Sequence, residues 1–166
     1  MADSTWVPAY IGVGSNLNDP EMQVKAALSA LGTLANTCAI TRSPLYRSKP
    51  FGSVPQPDFV NAVAALLTQL SLREFFAALR HLEAQLGREP PRQRWGARCI
   101  DLDLLVFGAQ RCAEPDLTVP HPGIVERNFV LYPLADVAPD LEIPALGRVS
   151  QLRAQVSAAG IERLTP

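Results

Sequence analysis

The run Ile100-Asp101-Leu102-Asp103-Leu104-Leu105-Val106-Phe107 constrains this chain more than any other stretch. It is apolar except for two carboxylates, and such density marks a buried strand. Successive strand side chains point to opposite faces. Strict alternation puts Ile100, Leu102, Leu104 and Val106 on one face, and Asp101, Asp103, Leu105 and Phe107 on the other. Two strand steps separate the aspartate Cβ atoms by roughly 6–7 Å. Paired carboxylates on a core strand are costly unless a cation or hydrogen bonds neutralise them. A divalent cation answers that need, and oxygen-only ligands select Mg²⁺ over zinc. Mg²⁺ held by few carboxylates commonly brings phosphate with it.

The residues just before the strand fit that chemistry. Arg88, Arg92, Arg94 and Arg98 fall within one long loop, with Pro90, Pro91 and Trp95 among them. Guanidinium forks match phosphate oxygens bidentately. The competing picture, two aspartates and four arginines merely solvated at the surface, leaves their adjacency unexplained. Net charge is −1, so no global field attracts nucleic acid or an anionic membrane, and an anion must be met locally. Cys38, Cys99 and Cys112 show no CxxC spacing, which argues against a disulfide framework or a zinc site and for a reducing, cytoplasmic setting. No export signal is visible at Met1–Ser4, and no apolar run reaches membrane-spanning length.

At 166 residues the chain is expected to form a single domain, residues 1–166. Ala9 to Ser15 reads as a strand, with Gly12 and Gly14 where something approaches the backbone. After a turn, Pro20 suits a first helical position, and Met22, Val24, Ala27, Leu28 and Leu31 give a helix over residues 21–34. A strand follows from Cys38 to Tyr46 or Arg47, bent at Ser43-Pro44. Residues 48–58 form a Pro/Gly-rich loop, and Phe59 to Leu67 resumes as a strand. Ser71 with Glu74 makes a capping box for a helix to about Leu86 that Gly87 closes. The Asp101–Asp103 strand comes next. Leu117 to Pro122 is extended, residues 126–131 start a short helix stopping before Pro133, and a last helix after Ser150 turns Leu152, Val156 and Ala159 inward. The order β-α-β-β-α-β predicts an α+β, ferredoxin-like sandwich. Its antiparallel sheet carries both helices on one face, the aspartates lie toward the open face, and a C-terminal extension follows.

Other candidates read ambiguously by themselves. Trp95 can stack on a planar ligand or pin its loop to the core. His121, in Pro-His-Pro, can donate to phosphate or serve as a loop residue. Gly12-x-Gly14 lacks the third glycine of a dinucleotide motif.

Four blocks together resemble the 6-hydroxymethyl-7,8-dihydropterin pyrophosphokinase family. They are Gly14-Ser15-Asn16-Leu17; Tyr46-Arg47 through Pro57-Asp58-Phe59-Val60-Asn61; Glu83 through Arg88 to Arg94-Trp95-Gly96-Ala97-Arg98 and Asp101-Leu102-Asp103; and Leu117-Thr118-Val119-Pro120-His121 to Arg127-Asn128-Phe129. The resemblance implies pyrophosphoryl transfer from ATP to the pterin hydroxymethyl group in folate synthesis, releasing AMP. It implies two Mg²⁺ ions on Asp101 and Asp103, with ATP as co-substrate. The pterin is implied to lie between Phe59 and Phe129, its polar edge read by Asn61 and by Ser48, Pro50 and Phe51, with Trp95 nearby. Arg88 and Arg98 are implied to approach the phosphates catalytically. Glu83, Arg94, Leu104, Thr118, His121 and Arg127 fall on the ATP side. Partners are implied to be ATP and the pterin, with no nucleic acid and no membrane, and the working unit a monomer. Departures from the family pattern are Phe59 for a frequent tyrosine, Pro90 for a loop arginine, Asp116 for a basic residue and Lys49 for a proline.

An RNA-binding module shares the element order. It needs exposed aromatics on its central strands and usually a basic surface, where this chain has Ile11, Val13 and the acidic pair.

Overall fold

In the computed structural model, residues 5–50, 52–87 and 99–166 are described. Strand β1 (Val7–Ser15) leads through a turn into helix α1 (Pro20–Leu31). There the Asp19 side chain accepts from the Met22 N–H and Pro20 occupies the first turn, where its missing N–H costs nothing. Strands β2 (Thr37–Arg42) and β3 (Tyr46–Ser48) both pair with β4, and the single strand expected there is divided at Ser43-Pro44. The break stays fastened. The Ser43 N–H donates to the Val63 carbonyl at 2.8 Å, and the Val63 N–H donates to Ser43 Oγ at 2.9 Å. Strand β4 (Phe59–Thr68) precedes helix α2 (Leu72–Gln85), whose Ser71–Glu74 capping box is fully formed.

Strand β5 (Asp101–Phe107) carries the aspartates. Beyond it lie a small hairpin, β6 (Cys112–Ala113) and β7 (Thr118–Val119), and a 3-10 turn at Ile124–Glu126. Then come helix α3 (Asn128–Val137), a second hairpin β8 (Glu142–Ile143) and β9 (Gly147–Arg148), helix α4 (Val149–Ala154) and strand β10 (Ile161–Arg163). The main sheet runs β10-β3-β4-β1-β5, with β2 also on β4, and every pairing is antiparallel. The architecture is therefore mixed α/β, an antiparallel sheet with four helices among the described residues.

Two apolar cores sandwich the sheet. On one face Ile11, Val13, Ala62, Ala64, Leu102 and Leu104 meet Val24, Leu28 and Leu31 of α1 and Phe75, Leu79 and Leu82 of α2. On the other, Val63, Leu105 and Val106 meet Val130, Leu131 and Leu134 of α3 and Val149 and Leu152 of α4. The face predicted to be open is thus half covered, and the aspartates sit where that cover stops.

Three expectations need correction. The first is strict alternation along β5. Ile11 pairs with Leu104 but Tyr10 pairs with Val106, so Leu105 is an extra, bulged residue. A bulge reverses the phase of everything beyond it. Val106 joins the α3 side with Leu105, and Phe107 joins the α2 side, 5.7 Å from the Phe75 ring. The second concerns Pro133, which does not stop α3. The buried stripe Val130, Leu131, Pro133 and Leu134 carries the helix across the missing hydrogen bond. The third concerns the C-terminal residues. Leu152 is buried, but the helix ends at Ala154, Ala159 is exposed, and the chain after Gly160 becomes β10 on the free edge of β3.

Candidate active site

A cleft opens on the α3 side of the sheet, beside α3 and above β1, β4 and β5. Its floor follows from register. Gly14 faces Asp101 and Gly12 faces Asp103 across β1 and β5, and Gly14 also faces Asn61 across β1 and β4. Directly paired strand residues share a face. The two glycines therefore leave main chain exposed between the aspartates and the asparagine. A Cβ added at Gly14 would stand 3.1 Å from Asn61 Oδ1, tighter than ordinary contact.

Around this floor stand Ser48, Lys49, Phe59, Asn61, Asp101, Asp103, His121, Arg127 and Phe129. Asn61 is nearly buried, and its Nδ2 donates to Ser48 Oγ at 2.6 Å. That bond fixes the amide orientation and leaves Oδ1 as the acceptor beside the floor. Phe59 at the start of β4 and Phe129 at the start of α3 present two half-buried rings from different elements. The Arg127 guanidinium lies 5.9 Å from the Phe129 ring centroid, within cation–π range.

The electrostatics are uneven. Burial, and then the neighbouring Asp101 charge, push the Asp103 carboxyl up to about 7, while Arg127 and Arg80 pull it down. His121 moves the opposite way. Burial and then Arg127 lower it to about 4, so it is neutral near pH 7. The Gly123 N–H donates to His121 Nδ1 at 3.0 Å. With Nδ1 accepting, the ring proton resides on Nε2, and neutral His121 keeps one donor.

Among the described residues no group of three or more His, Cys, Asp or Glu side chains gathers to hold a metal. The acidic pair is two ligands, not a closed cage. That matches Mg²⁺, which takes one or two carboxylates and completes its shell with water and phosphate. It does not match structural zinc.

Several anticipated residues lie elsewhere. Pro50 lines a neighbouring hollow shared with Ser48, Lys49 and Phe129. Leu104 of β5 is buried in the core on the α1/α2 face, and Thr118 is exposed on β7. Glu83 is buried behind β5, its carboxylate accepting from the Leu102 N–H at 2.9 Å and pairing with Arg80 at 2.7 Å. Asp116 hydrogen-bonds Arg73 of α2 at 2.8 Å, which holds its carboxyl below the usual range and ties the β6–β7 hairpin to that helix. Phe51, Arg88, Arg94, Trp95 and Arg98 lie outside the described residues. Sequence reasoning passed over two contributors. Asn16, almost fully buried, donates to Gln56 Oε1 at 2.9 Å and the Pro57 carbonyl at 3.0 Å, pinning the 52–58 loop. Arg80 is the other. A polar residue at the end of a buried strand, and a basic residue three before a buried acid, were the available signals.

Comparisons with known proteins show the family. A family model for 7,8-dihydro-6-hydroxymethylpterin-pyrophosphokinase matches residues 10–139. A Pseudomonas aeruginosa 2-amino-4-hydroxy-6-hydroxymethyldihydropteridine pyrophosphokinase is 47% identical over 155 residues, covering 93% of this chain and 95% of that protein. A Haemophilus influenzae protein of the same name is 41% identical over 160 residues, covering 96% and 99%. A crystal structure of Plasmodium falciparum HPPK-DHPS superimposes with a TM-score of 0.77 at 13% identity, over 97% of this chain and 49% of that one, and speaks to fold alone. No helix among the described residues is long and apolar enough to cross a membrane. The chain belongs to the 7,8-dihydro-6-hydroxymethylpterin-pyrophosphokinase family, enzymes of pyrophosphoryl transfer in folate biosynthesis.

Proposed function

We propose that the chain transfers pyrophosphate from ATP to the hydroxymethyl group of 6-hydroxymethyl-7,8-dihydropterin, releasing AMP. One observation carries this reading: two aromatic rings, a fixed amide and an acidic pair line a single cleft. The pterin lies between Phe59 and Phe129, and Asn61, oriented by Ser48, meets its polar edge. Pro50 of the neighbouring hollow, with Phe51 and Trp95, is assigned to pterin recognition on the family resemblance. The hydroxymethyl oxygen attacks the β-phosphorus. A new O–P bond forms, the bridge between the α- and β-phosphates breaks with its oxygen leaving on AMP, and the hydroxyl proton is released. This chemistry is mainly positioning and charge stabilisation.

Asp101 and Asp103 would hold two Mg²⁺ ions. Metal held there would supply positive charge to the phosphate oxygens. His121 donates Nε2–H to a phosphate oxygen, and Arg127 places a cation beside it. Arg88, Arg94 and Arg98 neutralise the triphosphate from the adjoining segment. Thr118 and the Leu104 backbone belong to the nucleotide side, and Glu83 reaches the site through Leu102.

The strand order supports assignment to the ferredoxin-like split β-α-β class with a C-terminal extension, residues 1–166 forming one domain. The same reading takes the protein as a cytoplasmic monomer. The test measures AMP release from ATP and Mg²⁺ with and without the pterin. Pterin-dependent AMP formation, matched by pterin pyrophosphate, is expected. AMP release indifferent to the pterin overturns the reading.

A further inference from the structure

Among the described residues strand β5 ends the main sheet, with β1 its sole strand neighbour. Asp101 and Asp103 face Gly14 and Gly12 of β1. Leu102, the residue between them, turns its own peptide groups the other way. An edge strand normally leaves such groups to water. Here both are claimed by one pair of side chains on α2. The Leu102 N–H donates to Glu83 Oε2 at 2.9 Å, and the Leu102 carbonyl accepts a short bond from Arg80 Nη2. Arg80 Nη1 and Glu83 Oε1 close the ring at 2.7 Å, one helical turn apart. The Phe76 ring lies 5.0 Å from the Arg80 guanidinium carbon.

This arrangement is a poor way to gain stability. The Glu83 side chain is only 3% exposed against 38% for Arg80, and taking even one member of an ion pair out of water offsets much of the attraction it gains. Arg80 Nε is also buried with no hydrogen-bond partner, and a donor left unmade inside a protein is itself a cost. What the pair does achieve is geometric: it stands in for the missing strand. Both peptide groups of Leu102 are thereby held on the outer side, while β1 pairs with the strand on the inner one.

We propose that Arg80 and Glu83 are positioning residues for the acidic pair. By clamping both peptide groups of Leu102, they set the separation and aim of the Asp101 and Asp103 carboxylates toward a divalent cation. The inference rests on the metal reading above and extends it to residues behind the strand. Outer-layer partners of metal ligands commonly control affinity about 10–100-fold, and a backbone clamp belongs at the low end of that range.

The test uses Mn²⁺ in place of Mg²⁺, titrated by electron paramagnetic resonance with a non-hydrolysable ATP analogue present. Arg80→Met removes the carbonyl contact. Glu83→Gln keeps an acceptor for the Leu102 N–H but breaks the ion pair, and folds even if a harsher change does not. Arg80→Met is expected to raise the Mn²⁺ dissociation constant about tenfold and to speed Leu102 amide exchange. Glu83→Gln should fall between it and wild type, and the pterin KM should stay within about twofold in both. Mn²⁺ affinity near wild type in both folded variants overturns the clamp. So does an equal loss of pterin and Mn²⁺ affinity, which marks a general structural role. A wild-type protein that binds no Mn²⁺ removes the metal reading itself and the inference with it.

Discussion

The two faces of β5 are built to opposite specifications. On the α1/α2 side, Leu102 and Leu104 are almost wholly buried in the larger core. One residue away on the other side, Asp101 and Asp103 look into a cleft floored by glycine, and the Asp103 carboxyl is forced up to about 7. The first face contributes apolar burial. The second withholds it, and keeps a charge that the protein alone cannot comfortably carry. Stability and chemistry are thus separated by a peptide's width, and substitutions on the two faces should separate them as well.

The sharpest break would come at Asp103. Asp103→Ala should lower turnover by at least about 1,000-fold, through lost charge stabilisation at the phosphates, with the circular dichroism spectrum unchanged; near-normal turnover would sink the assignment of that face. On the opposite side, Leu102→Ala should cost about 2–5 kcal/mol of unfolding free energy, as large-to-small core changes do. Urea denaturation measures it, and a loss below about 1 kcal/mol would erase the contrast.

A subtler comparison uses pH. The folded pKa of Asp103 lies above its unfolded value of 3.8, so its contribution is unfavourable above about pH 7 and fades as pH falls toward 4. Metal-free Asp103→Asn should therefore melt about 3–6 °C above wild type at pH 8, and that gap should close on acidification. The His121 shift runs the other way, losing stability as pH falls from 6.5 toward 4, but it is common to both proteins and cancels in the difference. A gap independent of pH would show that Asp103 is ordinarily solvated. The smallest expected effect is at the wall of the cleft. Phe129→Leu should raise the pterin KM about tenfold, the worth of one aromatic contact, with Tm little changed; an unaltered KM would remove Phe129 from the ring site.

How far the sequence could be read depended on whether one interaction dominated locally. The Ser71–Glu74 box, Pro20 at a helix start and Ser43-Pro44 at the strand break are short-range signals, and each appears where the residues place it. The acidic pair was legible because carboxylates in an apolar run have few explanations. The bulge at Leu105 was not. Leu104, Leu105, Val106 and Phe107 are apolar on both phases, and with cores on both faces of the sheet no polar residue marks the slip. Pro133 suggested a stop, and tertiary burial overrode it. Strand β10 was hidden because Ile161-Glu162-Arg163 is too short to show a period, and its pairing depends on an edge far away in sequence. The Arg80–Glu83 pair offered only an i,i+3 spacing common on helix surfaces, and nothing in that spacing points to the main chain of Leu102.

The glycine floor carries one more consequence. Because Gly12 and Gly14 contribute no side chains, part of the surface offered to a ligand is main chain, the one portion of a protein that every allele shares. A flat inhibitor resting on it would touch atoms that substitution cannot delete. Escape at those positions has to add bulk, and at Gly14 the added carbon crowds Asn61, the residue proposed to meet the pterin edge. Resistance arising there would carry its own penalty in turnover.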